Sequence, residues 1–123
     1  MRIFIVDDEE DIAEMYSEAI KLCGHTVIGI ACNGEEAVEK YAGFVEPPDV
    51  IIMDHRMPVK TGLEATKEIL ALNPRLNIIF ASADASVERE AIELRVAAFK
   101  KKPFTLDRLL KNIEKLENSQ TTE

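Results

Sequence analysis

Short apolar runs and helix-periodic stretches alternate five times along this chain, and that alternation leaves few folds open. Residues 3–6, 25–31, 50–53, 77–81 and 97–101 read as strands, the first continuously apolar, as a strand covered on both faces would be. Crossovers between parallel strands are right-handed, so strict strand and helix alternation packs as a doubly wound α/β sandwich of three layers.

The helical stretches carry their own boundaries. A first helix, predicted over residues 8–23, places Ile12, Met15, Tyr16, Ala19 and Leu22 at helical spacing, and Gly24 ends it. Asn33 with Glu36 three residues on forms a capping-box-like start for a helix through residue 42. Pro47 and Pro48 break the chain before the third strand, and Pro58 bends the loop after it. Thr61 and Glu64 repeat the capping box for a helix carrying Leu63, Ile69 and Leu70 that ends near Asn73 and Pro74. A fourth helix is predicted over residues 87–94. Thr105 caps a closing helix with a stripe of Leu106, Leu109, Leu110, Ile113 and Leu116. The domain is expected over residues 1–118, with residues 119–123 a polar, disordered tail.

Composition narrows the function classes. At 123 residues, 46% hydrophobic and 31% charged, the chain fits one domain with one substantial core. A net charge of -8, with Lys100, Lys101 and Lys102 as the only basic run, argues against nucleic-acid binding and against a membrane surface. The apolar start runs straight into Asp7, Asp8, Glu9, Glu10 and Asp11, unlike a signal peptide, and no apolar stretch is long enough to span a bilayer. Cys23 and Cys32 read as buried free thiols rather than a disulfide, so the expected compartment is the reducing cytoplasm.

Ligands on open α/β sheets bind outside the carboxyl ends of the strands. Four runs end on polar residues there: Asp7 and Asp8, Asp54, Ser82, and Lys102. Each has an ordinary reading alone: a solvated acidic helix start, a turn serine, one of three solvated lysines. Together they form a different picture, because Asp54 directly follows an apolar strand, where a half-buried charge needs a partner. Crowded carboxylates call for a hard cation, and Mg²⁺ is typically held by one or two carboxylates plus phosphate oxygens. Side chains alternate along a strand, so only one or two of the three lysines can reach the crevice, and Lys102 is the best placed.

These residues resemble a known family, the response-regulator receiver domains of two-component signalling, and in size the single-domain chemotaxis regulators. The likeness rests on VDDEE with Asp7 and Asp8, MDHRMP with Asp54 and Pro58, TGLE with Gly62, Ser82 followed by Ala83, and KPF with Lys102. It implies a flavodoxin-like five-stranded parallel sheet of order 2-1-3-4-5 with five helices. Asp54 would be the phosphoacceptor, attacking the phosphorus of a phosphohistidine or a small phosphodonor to form an acyl phosphate. Asp8 and Asp54 would ligate Mg²⁺ directly, Arg56 through its main-chain carbonyl and Asp7 through water, with Mn²⁺ as a substitute. Lys102 and Ser82 would hold phosphoryl oxygens, and Phe99 with Ser82 would form the switch that changes the surface of the fourth helix, last strand and fifth helix. The implied partners are a sensor histidine kinase or histidine phosphotransfer protein, a downstream effector, and a second phosphorylated copy. The implied activity is self-phosphorylation and slow hydrolysis only. A cis Lys102–Pro103 peptide is also implied, and Arg56 and Asp84 form an opposite-charge pair placed to screen the acyl phosphate.

The chain departs from the family pattern in three places. Ser82 and Lys102 stand 20 positions apart, a couple fewer than usual, so the fourth helix or the loop before it is shortened. Arg95 and Val96 replace the glycine before the last strand, which makes a left-handed helix cap difficult. Phe99 replaces the tyrosine of the chemotaxis regulators. His25 is expected at the surface or a strand edge, and His55 is expected to point away from the site. Two other functions fit less well. An aspartyl phosphohydrolase would need a second aspartate where Arg56 stands, and a phosphorylation-independent adaptor would not need the complete set of Asp8, Asp54, Ser82 and Lys102.

Overall fold

The structure, a computed structural model, describes residues 1–121, with side chains through Ser119. In chain order the elements are β1 (Arg2–Val6), α1 (Glu10–Leu22), β2 (Thr26–Ala31), α2 (Gly34–Gly43), β3 (Val50–Asp54), α3 (Gly62–Leu72), β4 (Asn77–Ser82), α4 (Glu88–Glu93), β5 (Ala98–Lys101) and α5 (Leu106–Thr121), with a 3₁₀ turn over Ala85–Val87. All strands pair in parallel, in the order β2-β1-β3-β4-β5.

The apolar strands are continuous because both faces of the sheet are covered. On β1, Phe4 and Val6 enter one core with residues of α2, α3 and α4, while Ile3 and Ile5 enter the other with residues of α1 and α5. β3 is buried throughout, so an aspartate at its last position is enclosed by construction.

Helix boundaries follow their caps. The Asn33 side chain accepts the Glu36 N–H at 2.8 Å, and Thr61 with Glu64 forms a complete capping box. The Thr105 hydroxyl accepts the Arg108 N–H at 3.2 Å. The tail expected from residue 119 is helical through Thr121, as α5 continues; residues 122 and 123 lie outside the described residues.

The buried face of α1 is displaced from the expected one. Ala13, Tyr16, Ser17 and Ile20 face the sheet, whereas Met15 is 48% and Leu22 is 88% exposed. Both sets satisfy a helical repeat, but small Ala13 and Ser17 let the helix approach the sheet closely. The helix also starts at Glu10 rather than Asp8, because the Asp7 carboxylate accepts the Glu9 N–H at 2.9 Å and holds residues 7–9 outside it.

The cysteines are free but exposed, not buried. Cys23 caps the end of α1, and Cys32 follows β2, where its thiol donates to Glu36 Oε2 at 3.0 Å. His25 sits beside edge strand β2 as expected, but its side chain is only 7% exposed, with Nδ1 3.0 Å from the Met1 amine and 3.7 Å from Glu117 Oε2.

In this short stretch α4 has six residues and follows directly on the 3₁₀ turn. Its end is a Schellman turn: Val96 N–H donates to Ala91 O at 3.4 Å and Arg95 N–H to Ile92 O at 2.9 Å. Arg95 takes the left-handed position at φ 65° despite its side chain. The absent glycine therefore changes the cost of the turn and not its shape. The Lys102–Pro103 peptide is cis.

Candidate functional site

Four strand ends meet at one edge of the sheet. Asp7 follows β1, and its N–H donates to Ala31 O at 3.0 Å, which holds it against β2. Asp54 closes β3, Ser82 closes β4, and Lys102 follows β5, its N–H donating to Ser82 O at 3.0 Å. Asp7, Asp54 and Ser82 are 3%, 5% and 2% exposed, while Asp8 faces solvent. Carboxylate oxygens of Asp7, Asp8 and Asp54 all lie within 4.8 Å of one another. Lys102 Nζ stands 2.7 Å from Asp54 Oδ1.

Of the three lysines, Lys102 alone reaches the carboxylates among the described contacts. The Ser82 hydroxyl oxygen accepts the Asp84 N–H at 2.9 Å, so its own proton remains free to donate. A cavity of about 290 Å³ opens over these groups, lined by Asp8, Asp54, Arg56, Ser82 and Lys102, with Glu9 and Ala83 at its margin.

Burial of like charges sets the electrostatics. Asp7 is raised from 3.8 to about 6, chiefly by burial, with the Glu9 N–H opposing and the Asp54 charge adding to the rise. Burial also lifts Asp54, against the Lys102 hydrogen bond and charge. Burial is the largest single influence on Lys102 and disfavours its charge, but the Asp54 contact and the Asp54 and Asp7 charges outweigh it and leave the ammonium above its ordinary value. One lysine therefore does not neutralise the set, and its hard oxygen donors suit a divalent cation.

The loop after Asp54 is held by close backbone approaches. A Cβ on Gly62 would overlap the Asp54 carbonyl, and Gly62 N–H donates to His55 O at 2.9 Å. Gly34, at the start of α2, packs the same way on Lys60, with its N–H donating to Lys60 O at 3.1 Å. Between these contacts Val59 adopts φ 71°, with Lys60 N–H donating to Pro58 O at 2.8 Å, a strained γ-turn. Gly34 is not a residue that the sequence alone marks as part of the site. Its only signal was the Asn-Gly pair, because the contact comes from residues 26 positions away.

The remaining candidates lie around this centre. His55 turns away from the carboxylates toward Phe80, with ring centroids 5.8 Å apart. Phe99 stacks on Phe80 itself, with ring centroids 5.9 Å apart at 20°, and is half-buried against the same core. Arg56 is exposed and Asp84 half-buried, and they make no ion pair with each other among the described residues. The Asp84 carboxylate accepts from the Ser86 N–H at 2.9 Å and its hydroxyl at 2.6 Å, and these bonds hold it below its usual range, with Arg56 a lesser charge effect.

A sequence model of the response regulator receiver domain matches residues 3–114. The chemotaxis protein CheY of Thermotoga maritima is 38% identical over 117 residues, covering 94% of this chain and 96% of that protein. CheY of Bacillus subtilis is 38% identical over 119 residues, covering 95% and 98%. Among solved structures, the response regulator TrrA of Thermotoga maritima, in complex with Mg²⁺ and BeF, is 31% identical with a TM-score of 0.82, covering 94% of this chain and 97% of that one. The sheet order, the strand-end carboxylates and these likenesses agree: the chain belongs to the response regulator receiver domain family and is a phosphoacceptor of two-component signalling.

Proposed function

We propose that Asp54 is the phosphoacceptor of this chain, taking its phosphoryl group from the phosphohistidine of a sensor kinase or histidine phosphotransfer protein. The observation that supports this is the enclosed Asp54 carboxylate, 2.7 Å from Lys102 Nζ and grouped with Asp7 and Asp8. The carboxylates of Asp8 and Asp54 would hold Mg²⁺, or Mn²⁺ in its place, with the Arg56 main-chain carbonyl as a further ligand and Asp7 acting through water. The bound ion supplies charge neutralisation for the transferring group.

Within that frame each side chain has a task. An Asp54 oxygen forms the new bond to phosphorus as the bond to the donor imidazole breaks. Lys102 exchanges its carboxylate partner for a phosphoryl oxygen, and the free Ser82 proton is donated to another. Reorientation of Ser82 and Phe99 then alters the surface of α4, β5 and α5 that an effector protein reads, with pairing of phosphorylated copies on that surface. Slow hydrolysis returns the protein to its starting state, with Arg56 and Asp84 at the margin to slow water. Among the described residues no helix is long and apolar enough to cross a membrane, and we place the protein with its kinase partners in the cytoplasm.

The test is intact mass after incubation with acetyl phosphate. One added phosphoryl group is expected, lost on chelation of Mg²⁺ and lost in Asp54→Asn. An adduct that persists in Asp54→Asn would reject the assignment, and rapid release of phosphate with turnover would favour a hydrolase.

A further inference from the structure

Two cavities adjoin the one over Asp54, and their walls differ in character. One, of about 410 Å³, has an apolar floor of Ala13 and Ile30 but is ringed by Asp7, Asp8, Glu10, Glu14 and Glu36, which would repel an anionic phosphodonor. The other, of about 440 Å³, lies between the start of α1 and the segment after β5, walled by Ile12, Met15, Tyr16, Phe104 and Leu106. It shares Glu9, Ala83 and Lys102 with the cavity over Asp54, so the two lie side by side.

Away from Glu9 and Lys102 its wall is apolar. The Tyr16 and Phe104 rings stack with centroids 6.4 Å apart at 20°. Met15 forms the outer lip; it is half-exposed and belongs to neither core, and a thioether adapts readily to an aromatic face. An apolar chamber of this kind contributes nothing to holding a phosphoryl group, yet it opens directly on the lysine beside Asp54.

We propose that this chamber is a leaving-group subsite, taking the planar apolar group that departs from phosphorus; the proposal rests on Asp54 as phosphoacceptor. In an in-line displacement the attacking and leaving atoms lie on opposite sides of phosphorus, so a departing group of any size needs a cavity beyond the phosphoryl site. For an acyl phosphate, an Asp54 oxygen forms the bond to phosphorus, the bridging oxygen–phosphorus bond breaks with its electron pair, and a carboxylate leaves. That anion emerges beside Lys102, while its apolar body lies against Tyr16 and Phe104. The acidic cavity does not reach Lys102, and the five carboxylates along it would meet a departing anion with repulsion.

The test compares phosphoramidate, acetyl phosphate and benzoyl phosphate as donors, with the Asp54 adduct followed by intact mass in Mg²⁺. Benzoate and acetate are leaving groups of similar basicity, so their ratio reads the chamber rather than intrinsic reactivity. Benzoyl phosphate is expected to react about tenfold faster than acetyl phosphate, equivalent to roughly 1.4 kcal/mol. Tyr16→Leu is expected to lower that ratio by about fourfold, the equivalent of one buried methylene. Met15→Trp, which obstructs the lip without entering the core, should lower it as well. No adduct from any of the three donors would overturn the phosphoacceptor reading and the subsite with it. An adduct from phosphoramidate, with equal benzoyl and acetyl rates or a ratio unchanged in both variants, would overturn the subsite alone.

Discussion

The crowding of carboxylates at the strand ends has a stability cost that a single substitution exposes. Asp7 is 3% exposed and raised from 3.8 to about 6, mainly by burial. An acid whose folded-state pKa lies above its unfolded value binds its proton more tightly in the folded state. Its cost is absent below about pH 3.8, grows as pH rises through about 6, and is complete near pH 7. The shift from 3.8 to about 6, at roughly 1.4 kcal/mol per unit, corresponds to about 3 kcal/mol. Asp7→Asn removes the charge and keeps an oxygen to accept the Glu9 N–H. In chelator, the variant is expected to be more stable than the parent by about 2–3 kcal/mol at pH 7, with the gain falling toward zero near pH 4. Urea denaturation at the two pH values reads this directly, since the midpoint moves while the slope stays fixed. Excess Mg²⁺ should shrink the difference at pH 7, because the cation relieves the same repulsion in the parent. A variant less stable than the parent at pH 7, or a gain equal at both pH values, would refute the assignment of strain to the buried Asp7 charge.

Three further substitutions test the fold around the site. Arg95→Gly, at φ 65°, removes a left-handed side-chain penalty of about 1–2 kcal/mol and adds some chain entropy to the unfolded state, so a net gain of about 0.5–1 kcal/mol is expected in the same denaturation assay. The Thr66 hydroxyl is buried without a hydrogen-bond partner among the described residues, and Thr66→Val should stabilise by about 1 kcal/mol; a loss would mean the hydroxyl is satisfied. Gly34→Ala forces a Cβ into the Lys60 carbonyl and should destabilise by at least about 1–3 kcal/mol, with amide shifts at residues 58–62 in NMR spectra; confinement of the shifts to α2 would show that the contact does not hold the loop.

Why some of this was legible and some was not comes down to range. The strands could be read because burial on both faces leaves runs such as residues 50–53 with no polar interruption. The Asn33 and Thr61 caps could be read because a cap is a contact over three residues. Lys102 could be singled out because strand alternation narrows the three lysines to one or two and Lys102 stands at the strand's end, both local rules. The face of α1 could not, since Ile12, Met15 and Leu22 carry more apolar bulk than Ala13 and Ser17, and only the fit against the sheet decides which side is buried. Exposure of Cys23 and Cys32 depends on their places at element ends. Gly34 and the Val59 turn depend on each other through tertiary contact. At Arg95, an unfavourable residue was outvoted by the two hydrogen bonds of the turn it occupies.

The site is rigid on one side and lightly built on the other, and that asymmetry bears on how phosphorylation would be transmitted. The loop leading from Asp54 to α3 is pinned by Gly62 against the Asp54 carbonyl, by Gly34 against Lys60 and by the Thr61 capping box. The segment after Ser82 has a 3₁₀ turn, six helical residues and a left-handed arginine, with Ile92 59% exposed. Elements with few buried contacts are the ones whose opening costs least. A chain of hydrogen bonds joins this segment to the site: Asp84 N–H donates to Ser82 Oγ at 2.9 Å, and the Asp84 carboxylate holds Ser86 at 2.9 Å and 2.6 Å. On the proposed mechanism, turning the Ser82 hydroxyl toward a phosphoryl group weakens the first bond of that chain and loosens the start of α4. Hydrogen exchange should therefore change over residues 85–94 when beryllofluoride and Mg²⁺ are added, with α3 unchanged. Ser82→Ala should abolish the difference. Equal changes in α3 and α4, or an α4 response that survives Ser82→Ala, would show that the signal takes another route.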